Sequence, residues 1–138
     1  MMVTSCKDSA NTGSNANTKE ALLDQEIKAS NAQLPAQMDY VLTLMTLYRD
    51  GDIVIYEYKF DEHKVSYDDM LVNQAKFRTQ IEEGLVAESM PNSEFYAFLS
   101  LMRDTGKSLR YKYTGSLTGQ EILFEFSNDE IKELMNNL

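Results

Sequence analysis

The fold is decided by residues 40–60, which read YVLTLMTLYRDGDIVIYEYKF. Two runs in this stretch, 40–48 and 53–60, are rich in β-branched and aromatic side chains, a composition typical of strands. Asp50 and Gly51 lie between the runs, and glycine accepts the positive φ that a tight hairpin turn requires. The sequence therefore predicts a β-hairpin with strands over 40–48 and 53–60.

A second hairpin is predicted towards the C-terminus. Residues 109–114 and 122–126 alternate aromatic or aliphatic side chains with others, the period-two pattern of a half-buried strand. Gly115 and Gly119 mark the loop between these two runs. We predict that the two segments pair as antiparallel strands.

Apolar residues at helical spacing fill the rest of the chain. They predict helices from residue 20 to about 33, from Ser66 to about 86, from Asn92 or Ser93 to Gly106, and from Ser127 to the C-terminus. Ser127 followed three residues later by Glu130 is the signature of a capping box at the start of the last helix.

The predicted elements follow the order α-ββ-αα-ββ-α. Helices and strands that are kept apart in this way favour the α+β class over alternating parallel units. We expect an antiparallel sheet of about four strands, formed by the two hairpins and packed against the helices. Residues 20–138 would form this single domain, because about 120 residues are a common size for one domain with one hydrophobic core.

Composition and charge limit the classes of partner. The chain has 138 residues, of which 43% are hydrophobic and 25% charged, as in ordinary globular proteins. Lys and Arg total 13 against 22 Asp and Glu, so the formal net charge is −9. Because nucleic acids and anionic membrane surfaces are bound through clustered cations, this balance argues against both as direct partners. No run approaches the roughly 18 apolar residues of a membrane-spanning helix.

Candidate residues for chemistry are few. The chain has one cysteine and one histidine, too few for an intramolecular disulfide or for a zinc site without several carboxylate ligands. His63 is interpreted as a solvated residue of a polar connection, not as an acid/base group. Two acidic pairs, Asp68-Asp69 and Glu82-Glu83, lack the spacing of a calcium loop and are interpreted as exposed helix positions. We therefore predict no catalytic, metal-binding or cofactor-binding residues, although an enzyme with an unrecognised site stays an alternative.

The N-terminal leader, residues 1–19, contains a possible lipid attachment site. Residues 7–19 have no large apolar side chain and predict a disordered tether. Immediately before them, Val3-Thr4-Ser5-Cys6 resembles the lipobox of bacterial lipoproteins, in which the cysteine becomes acylated. This resemblance implies a lipid anchor on Cys6, with the domain held at a membrane and facing the periplasm or the cell surface.

The leader departs from the lipoprotein pattern upstream of the box. A positively charged segment and an apolar segment normally precede it, whereas only Met1 and Met2 stand there in this sequence. The alternative is a free thiol on a cytoplasmic protein that carries no lipid.

Parts of the domain resemble small proteins of Gram-negative envelopes whose function is not known. The resemblance rests on residues 31–35 (NAQLP), on Tyr56-Glu57-Tyr58 and on Gly106 followed by residues 109–113 (LRYKY). It covers about half of the chain. It implies an envelope location and supplies no activity.

Four tyrosines form the most distinctive set of side chains. Tyr56, Tyr58, Tyr111 and Tyr113 would share one face if the two hairpins belong to the same sheet. They would then form either an aromatic binding face or, alternatively, part of the helix-facing core.

We interpret the chain as a non-catalytic lipoprotein domain that binds a protein, peptide or glycan through its sheet. A small envelope enzyme or inhibitor, and a cytoplasmic interaction domain without lipid, are the two alternatives.

Overall fold

A computed structural model describes residues 15–91 and 93–137 of the chain. Within these residues the helices are α1 (Asn15–Asn31), α2 (Tyr67–Val72), α3 (Gln74–Glu88), α4 (Glu94–Asp104) and α5 (Asn128–Asn136). The strands are β1 (Ala36–Gln37), β2 (Leu42–Asp50), β3 (Ile53–Phe60), β4 (Ser108–Gly115) and β5 (Glu121–Phe126). The predicted α+β class is confirmed.

The described residues form one five-stranded sheet in the order β1-β2-β3-β4-β5. Both predicted hairpins, β2–β3 and β4–β5, are antiparallel. The prediction of a wholly antiparallel sheet of about four strands is wrong, because β3 and β4 pair in parallel and β1 adds a short edge strand. The parallel pairing arises because α2, α3 and α4 carry the chain back to the end of the sheet where β3 began, so that Ser108 pairs beside Ile53.

The first hairpin has the predicted turn. Asp50 pairs with Ile53, which leaves Gly51 and Asp52 as a two-residue turn, and Gly51 has a φ of 60°. This positive φ explains why glycine occupies the position. Strand β3 matches its predicted range, whereas β2 begins at Leu42 and not at residue 40.

Two predicted helices have different limits in the structure. Helix α1 begins at Asn15 and not at residue 20, so it extends into the segment predicted as a tether. Residues 1–14 of the predicted leader, with Cys6, lie outside the described residues. The helix predicted from Ser66 to about 86 is interrupted at Asn73, whose side-chain amide donates a hydrogen bond to the Asp69 carbonyl (2.8 Å). Such side-chain bonds compete with the helical backbone pattern.

The predicted helix starts are confirmed where a serine caps the helix. The Ser66 and Ser93 hydroxyls each accept a hydrogen bond from a backbone N–H of the first turn. Ser127 and Glu130 form both bonds of a capping box at the start of α5. Serine is favoured at these positions because its oxygen satisfies an N–H that has no partner inside the helix.

The core lies between the helices and one face of the sheet. Its central sheet residues, all on that face, are Leu47, Val54, Phe60, Leu109, Tyr111, Tyr113, Ile122, Phe124 and Phe126. Each of the five helices contributes at least one buried apolar side chain to the same cluster. The opposite face, called the open face here, carries cross-strand ion pairs such as Lys112 with Glu57 (3.4 Å).

Ion pairs hold the N-terminal half of α1 against one end of the sheet. Arg49, near the end of β2, pairs with Asp24 of α1 (2.8 Å). The buried Lys107, just before β4, pairs with Glu20 (3.0 Å) and with Asp52 of the hairpin turn (3.3 Å). The start of α1 therefore lies at the end of the sheet that carries the β2–β3 turn.

Candidate binding groove

A groove of about 560 Å³ opens at the other end of the sheet, between the loop that precedes β2 and the helices α2 and α3. We call it the apolar groove. Its lining residues are Asp39, Tyr40, Val41, Leu42, Val65, Met70, Phe77, Gln80 and Ile81. Seven of these nine side chains are aliphatic or aromatic, so the groove suits an apolar ligand surface.

The loop wall of the groove is fixed by hydrogen bonds. The Asp39 carboxylate accepts the N–H groups of Val41 and Leu42, both at 2.8 Å. The N–H of Met38 donates to the Leu42 carbonyl (2.9 Å) and closes the turn. This arrangement explains why β2 begins at Leu42, since the N–H of the preceding Val41 binds the Asp39 side chain and not a neighbouring strand.

Tyr40 stands at the rim of the groove and is 72% exposed. The Lys64 ammonium lies 3.9 Å from the centre of the Tyr40 ring and donates a hydrogen bond to the Tyr40 carbonyl (3.1 Å). A cation over the face of an aromatic ring is attracted by the electrons of the ring. Tyr40 is therefore an oriented aromatic side chain that remains available to a partner.

The helical wall presents one face of α3. Ile81 is buried and Phe77 is half-buried, while Gln80 between them is exposed and offers an amide to the groove. The Phe77 ring lies 4.9 Å from the Tyr113 ring and 5.4 Å from the Phe124 ring. Phe77 thus connects the groove to the aromatic core beneath it.

The four tyrosines singled out from the sequence do share one sheet face. The Tyr58 and Tyr113 rings are stacked at 4.8 Å, and the Tyr56 and Tyr111 rings meet edge to face at 5.2 Å. Their face is the one that the helices cover, and Tyr111 and Tyr113 are buried. Of the two arrangements that the sequence allows for this set, the rings adopt the helix-facing one, because the parallel return of the chain lays its helices over them. Direct binding through these tyrosines stays an untested prediction.

Burial also determines the protonation of these tyrosines. It raises the pKa of Tyr58 to about 12 and also raises the pKa values of Tyr56, Tyr111 and Tyr113 well above the ordinary value of a tyrosine. For Tyr113 the negative charge of Asp39 at the groove adds to the effect of burial. The four phenols therefore stay neutral at physiological pH, and Tyr113 packs in this neutral form against Phe77 of the groove.

The other residues considered for chemistry are not brought together. His63 is exposed, and its backbone N–H donates to the Asp61 carboxylate (2.9 Å). The pairs Asp68-Asp69 and Glu82-Glu83 lie on exposed helix positions. Among residues 15–91 and 93–137, no group of three His, Cys, Asp or Glu side chains is placed to hold a metal ion. In the same residues no helix is long and apolar enough to cross a membrane.

Sequence reasoning missed Tyr40 and Gln80, two of the exposed members of the groove. Tyr40 lies in a predicted strand, and Gln80 lies within a predicted helix without being singled out, so neither suggested a site. The sequence did contain one indication of this loop, Asp39, because an aspartate side chain favours a turn by accepting hydrogen bonds from the backbone N–H groups that follow it. Only the packing of α3 beside that turn creates the groove.

Comparisons with solved structures identify three similar chains. A protein of Pseudomonas aeruginosa described as secreted has a TM-score of 0.64 and 16% identity, over 84% of this chain and 95% of that one. The pilotin EpsS of the Vibrio vulnificus type 2 secretion system has a TM-score of 0.53 and 16% identity, over 87% and 97%. The type II secretion system pilotin AspS of Vibrio cholerae has a TM-score of 0.53 and 14% identity, over 86% and 96%.

These similarities show a shared fold that spans nearly the whole of each known chain. No protein-family model and no curated protein sequence matches this chain.

Proposed function

We propose that this chain is a non-catalytic module of the Gram-negative cell envelope that binds a segment of another protein in the apolar groove. Its finer form is a pilotin-like role in a type 2 secretion system. The observation that carries the proposal is the fold shared with two pilotins of such systems, over 86% or more of this chain. Since a fold can host several functions, the groove must supply the binding chemistry.

The groove has the size and lining of a binding site for protein side chains. Its volume of about 560 Å³ and its mostly apolar lining suit a few aliphatic or aromatic side chains of a partner. The exposed Tyr40 at the rim belongs to the residue types that contribute most to protein interfaces. Asp39 and Gln80 supply one charged and one neutral polar group that can orient the partner.

The position of the groove agrees with the lipid anchor that the leader predicts. The start of α1 is held beside Arg49, near one end of β2, whereas Leu42 at the other end of β2 lines the groove. The seven residue steps from Leu42 to Arg49 span about 23 Å. A protein anchored through Cys6 would thus present the groove at the end of the sheet opposite the start of α1.

The proposal is tested by deleting the gene in its natural host and measuring the export of type 2 secretion substrates. We expect export to fall on deletion and to recover with the wild-type gene. Tyr40→Asp should fail to restore export, because it places a charge at the apolar rim and costs binding free energy. Leu117→Asp is the matched control, since Leu117 is similarly exposed but lies outside the groove.

Two results would contradict different parts of the proposal. Unchanged export in the deletion strain would rule out the secretion role. Equal rescue by Tyr40→Asp and Leu117→Asp would rule out the groove as the binding site. The thermal unfolding midpoints of both variants should equal that of the wild type, because both positions are exposed.

A further inference from the structure

We propose a second interaction surface, independent of the apolar groove: the outer edge of β5 accepts an extended segment of a different protein as a sixth strand. This segment carries cationic side chains at its two ends and apolar side chains between them. The surface includes β5 and a neighbouring groove of about 460 Å³, lined by Leu71, Val72, Gln74, Ala75, Arg78, Leu123 and Phe124. We call it the β5 edge.

The backbone of β5 is oriented for strand addition. The Gly115 N–H donates to the Gln120 carbonyl (2.9 Å). Because hydrogen-bonded pairs alternate along an antiparallel ladder, Ile122, Phe124 and Phe126 of β5 are the residues whose backbone groups bond to β4. By this alternation the N–H and C=O groups of Glu121, Leu123 and Glu125 point away from β4. In the part of the chain that the structure describes, no further strand pairs with them.

An apolar wall extends past this edge. Val72 is 83% exposed, and Leu71 and Leu123 are each more than 40% exposed. Leu71 and Val72 belong to α2 on the helix-covered side, whereas Leu123 lies on the open face of the sheet. A strand added beside β5 would therefore bury apolar surface on both of its faces, which exposed edges of soluble proteins rarely offer.

Charge identifies the occupant as a different protein with cationic residues. Glu121 and Glu125 lie on the open face and pair with Lys112 (3.2 Å) and Arg110 (2.6 Å), yet their side chains remain 46% and 55% exposed. An antiparallel second copy centred on Leu123 would place Glu121 opposite the Glu125 of that copy. Like charges directly opposite one another are destabilising, and each copy already carries a net charge of −9.

The same geometry predicts the sequence of the added strand. Its residues opposite Glu121 and Glu125 should be Lys or Arg. The residue opposite Leu123 and the two residues facing the α2 side should be apolar, because side chains alternate between the faces of a sheet. The added strand thus needs a cationic residue, three apolar residues and a second cationic residue in succession. In strand-addition complexes generally, the backbone hydrogen bonds give affinity and alternate side chains give specificity.

The test uses three synthetic peptides and amide NMR of the protein. The first peptide has the core Lys-Val-Leu-Val-Lys between Gly-Ser flanks, the second replaces both lysines by glutamate, and the third has the first composition in scrambled order. We expect the first peptide to slow amide exchange at Glu121, Leu123 and Glu125. The glutamate and scrambled peptides should bind more weakly by about tenfold or more.

Variants distinguish this surface from the apolar groove. Val72→Asp should weaken binding of the lysine peptide by about tenfold, whereas Val86→Asp, an exposed apolar position outside the β5 edge, should not. Tyr40→Asp should leave peptide binding unchanged, so failure of the groove proposal does not affect this test. The inference is overturned if the lysine and glutamate peptides bind equally. It is also overturned if binding perturbs the groove amides in place of those of β5, or if sedimentation shows a dimer that the peptide cannot displace.

Discussion

At the residue scale, Glu62 connects the segment after β3 to the β4–β5 loop. Its carboxylate accepts the N–H groups of Leu117 and Thr118, both at 2.7 Å, and the Thr118 hydroxyl at 3.1 Å. The hydrogen bond from the Thr118 N–H is the main cause that lowers the pKa of Glu62. A Cβ atom added at Gly115 would overlap this carboxylate. Glycine therefore leaves space here for the Glu62 carboxylate in its hydrogen-bonded position, and its φ is not positive.

We predict that Gly115→Ala lowers the free energy of unfolding, because the new methyl group displaces the Glu62 carboxylate and breaks its hydrogen bonds. Gly84→Ala is the control, since a Cβ at this exposed position of α3 meets no other atom within 4 Å. That change should raise the free energy of unfolding by roughly 0.5–1 kcal/mol through helix propensity. Urea unfolding of both variants measures the difference, and a Gly115→Ala variant as stable as Gly84→Ala would disprove the role of Glu62.

At the scale of elements, α1 is attached by a narrow apolar stripe and by ions. Leu23 and Ile27 are buried in the core, whereas Leu22 is 46% exposed. Asp24 and Glu20, on the turns beside this stripe, pair with Arg49. The ion pairs of Arg49 orient the helix, but partly exposed pairs contribute little free energy, so the buried leucine should dominate its attachment.

Leu23→Ala should therefore lower the free energy of unfolding by about 2–5 kcal/mol, the usual cost of truncating a fully buried leucine. The neighbouring Leu22→Ala should change it by less than about 0.5 kcal/mol, because Leu22 contacts solvent. Thermal or urea unfolding followed by circular dichroism measures both values. Similar losses for the two variants would mean that α1 packs through a different face.

At the scale of the whole molecule, the two ends of the sheet carry different features. One end carries the β2–β3 turn and the start of α1, fixed through Lys107. The other end carries the apolar groove beside Asp39. A lipid anchor on Cys6 stays a prediction from the sequence, since this residue lies outside the described range. If the anchor is present, the chain leaves for the membrane from the end that carries the start of α1, and the apolar groove lies at the opposite end.

We predict that the product of the natural gene, expressed in a Gram-negative bacterium, gains acyl mass at Cys6 and partitions into detergent. The Cys6→Ala variant should show neither property, because the thiol is the attachment site of the lipid. Intact-mass measurement and detergent partitioning of the two proteins give the answer. An unmodified, water-soluble product in both cases would end the lipoprotein interpretation and leave the domain without an anchor.

The sequence by itself determined the features that depend on neighbouring residues. Strand β3 spans the predicted 53–60, the turn at Gly51 has the expected positive φ, and the capping box of Ser127 and Glu130 is present. These features follow from local backbone and side-chain chemistry, which a short stretch of sequence contains in full. The placement of Tyr56 with Tyr58 on one face of β3, and of Tyr111 with Tyr113 on one face of β4, was predictable for the same reason, since side chains alternate along each strand.

Only the tertiary structure decided which elements became neighbours. The parallel pairing of β3 with β4 places helices over the tyrosine face, and the packing of α3 beside Asp39 opens the apolar groove. The free edge of β5 likewise follows from the order of strands in the sheet. These arrangements join residues distant in sequence, and they depend on how the whole chain buries its apolar surface, which no local pattern specifies.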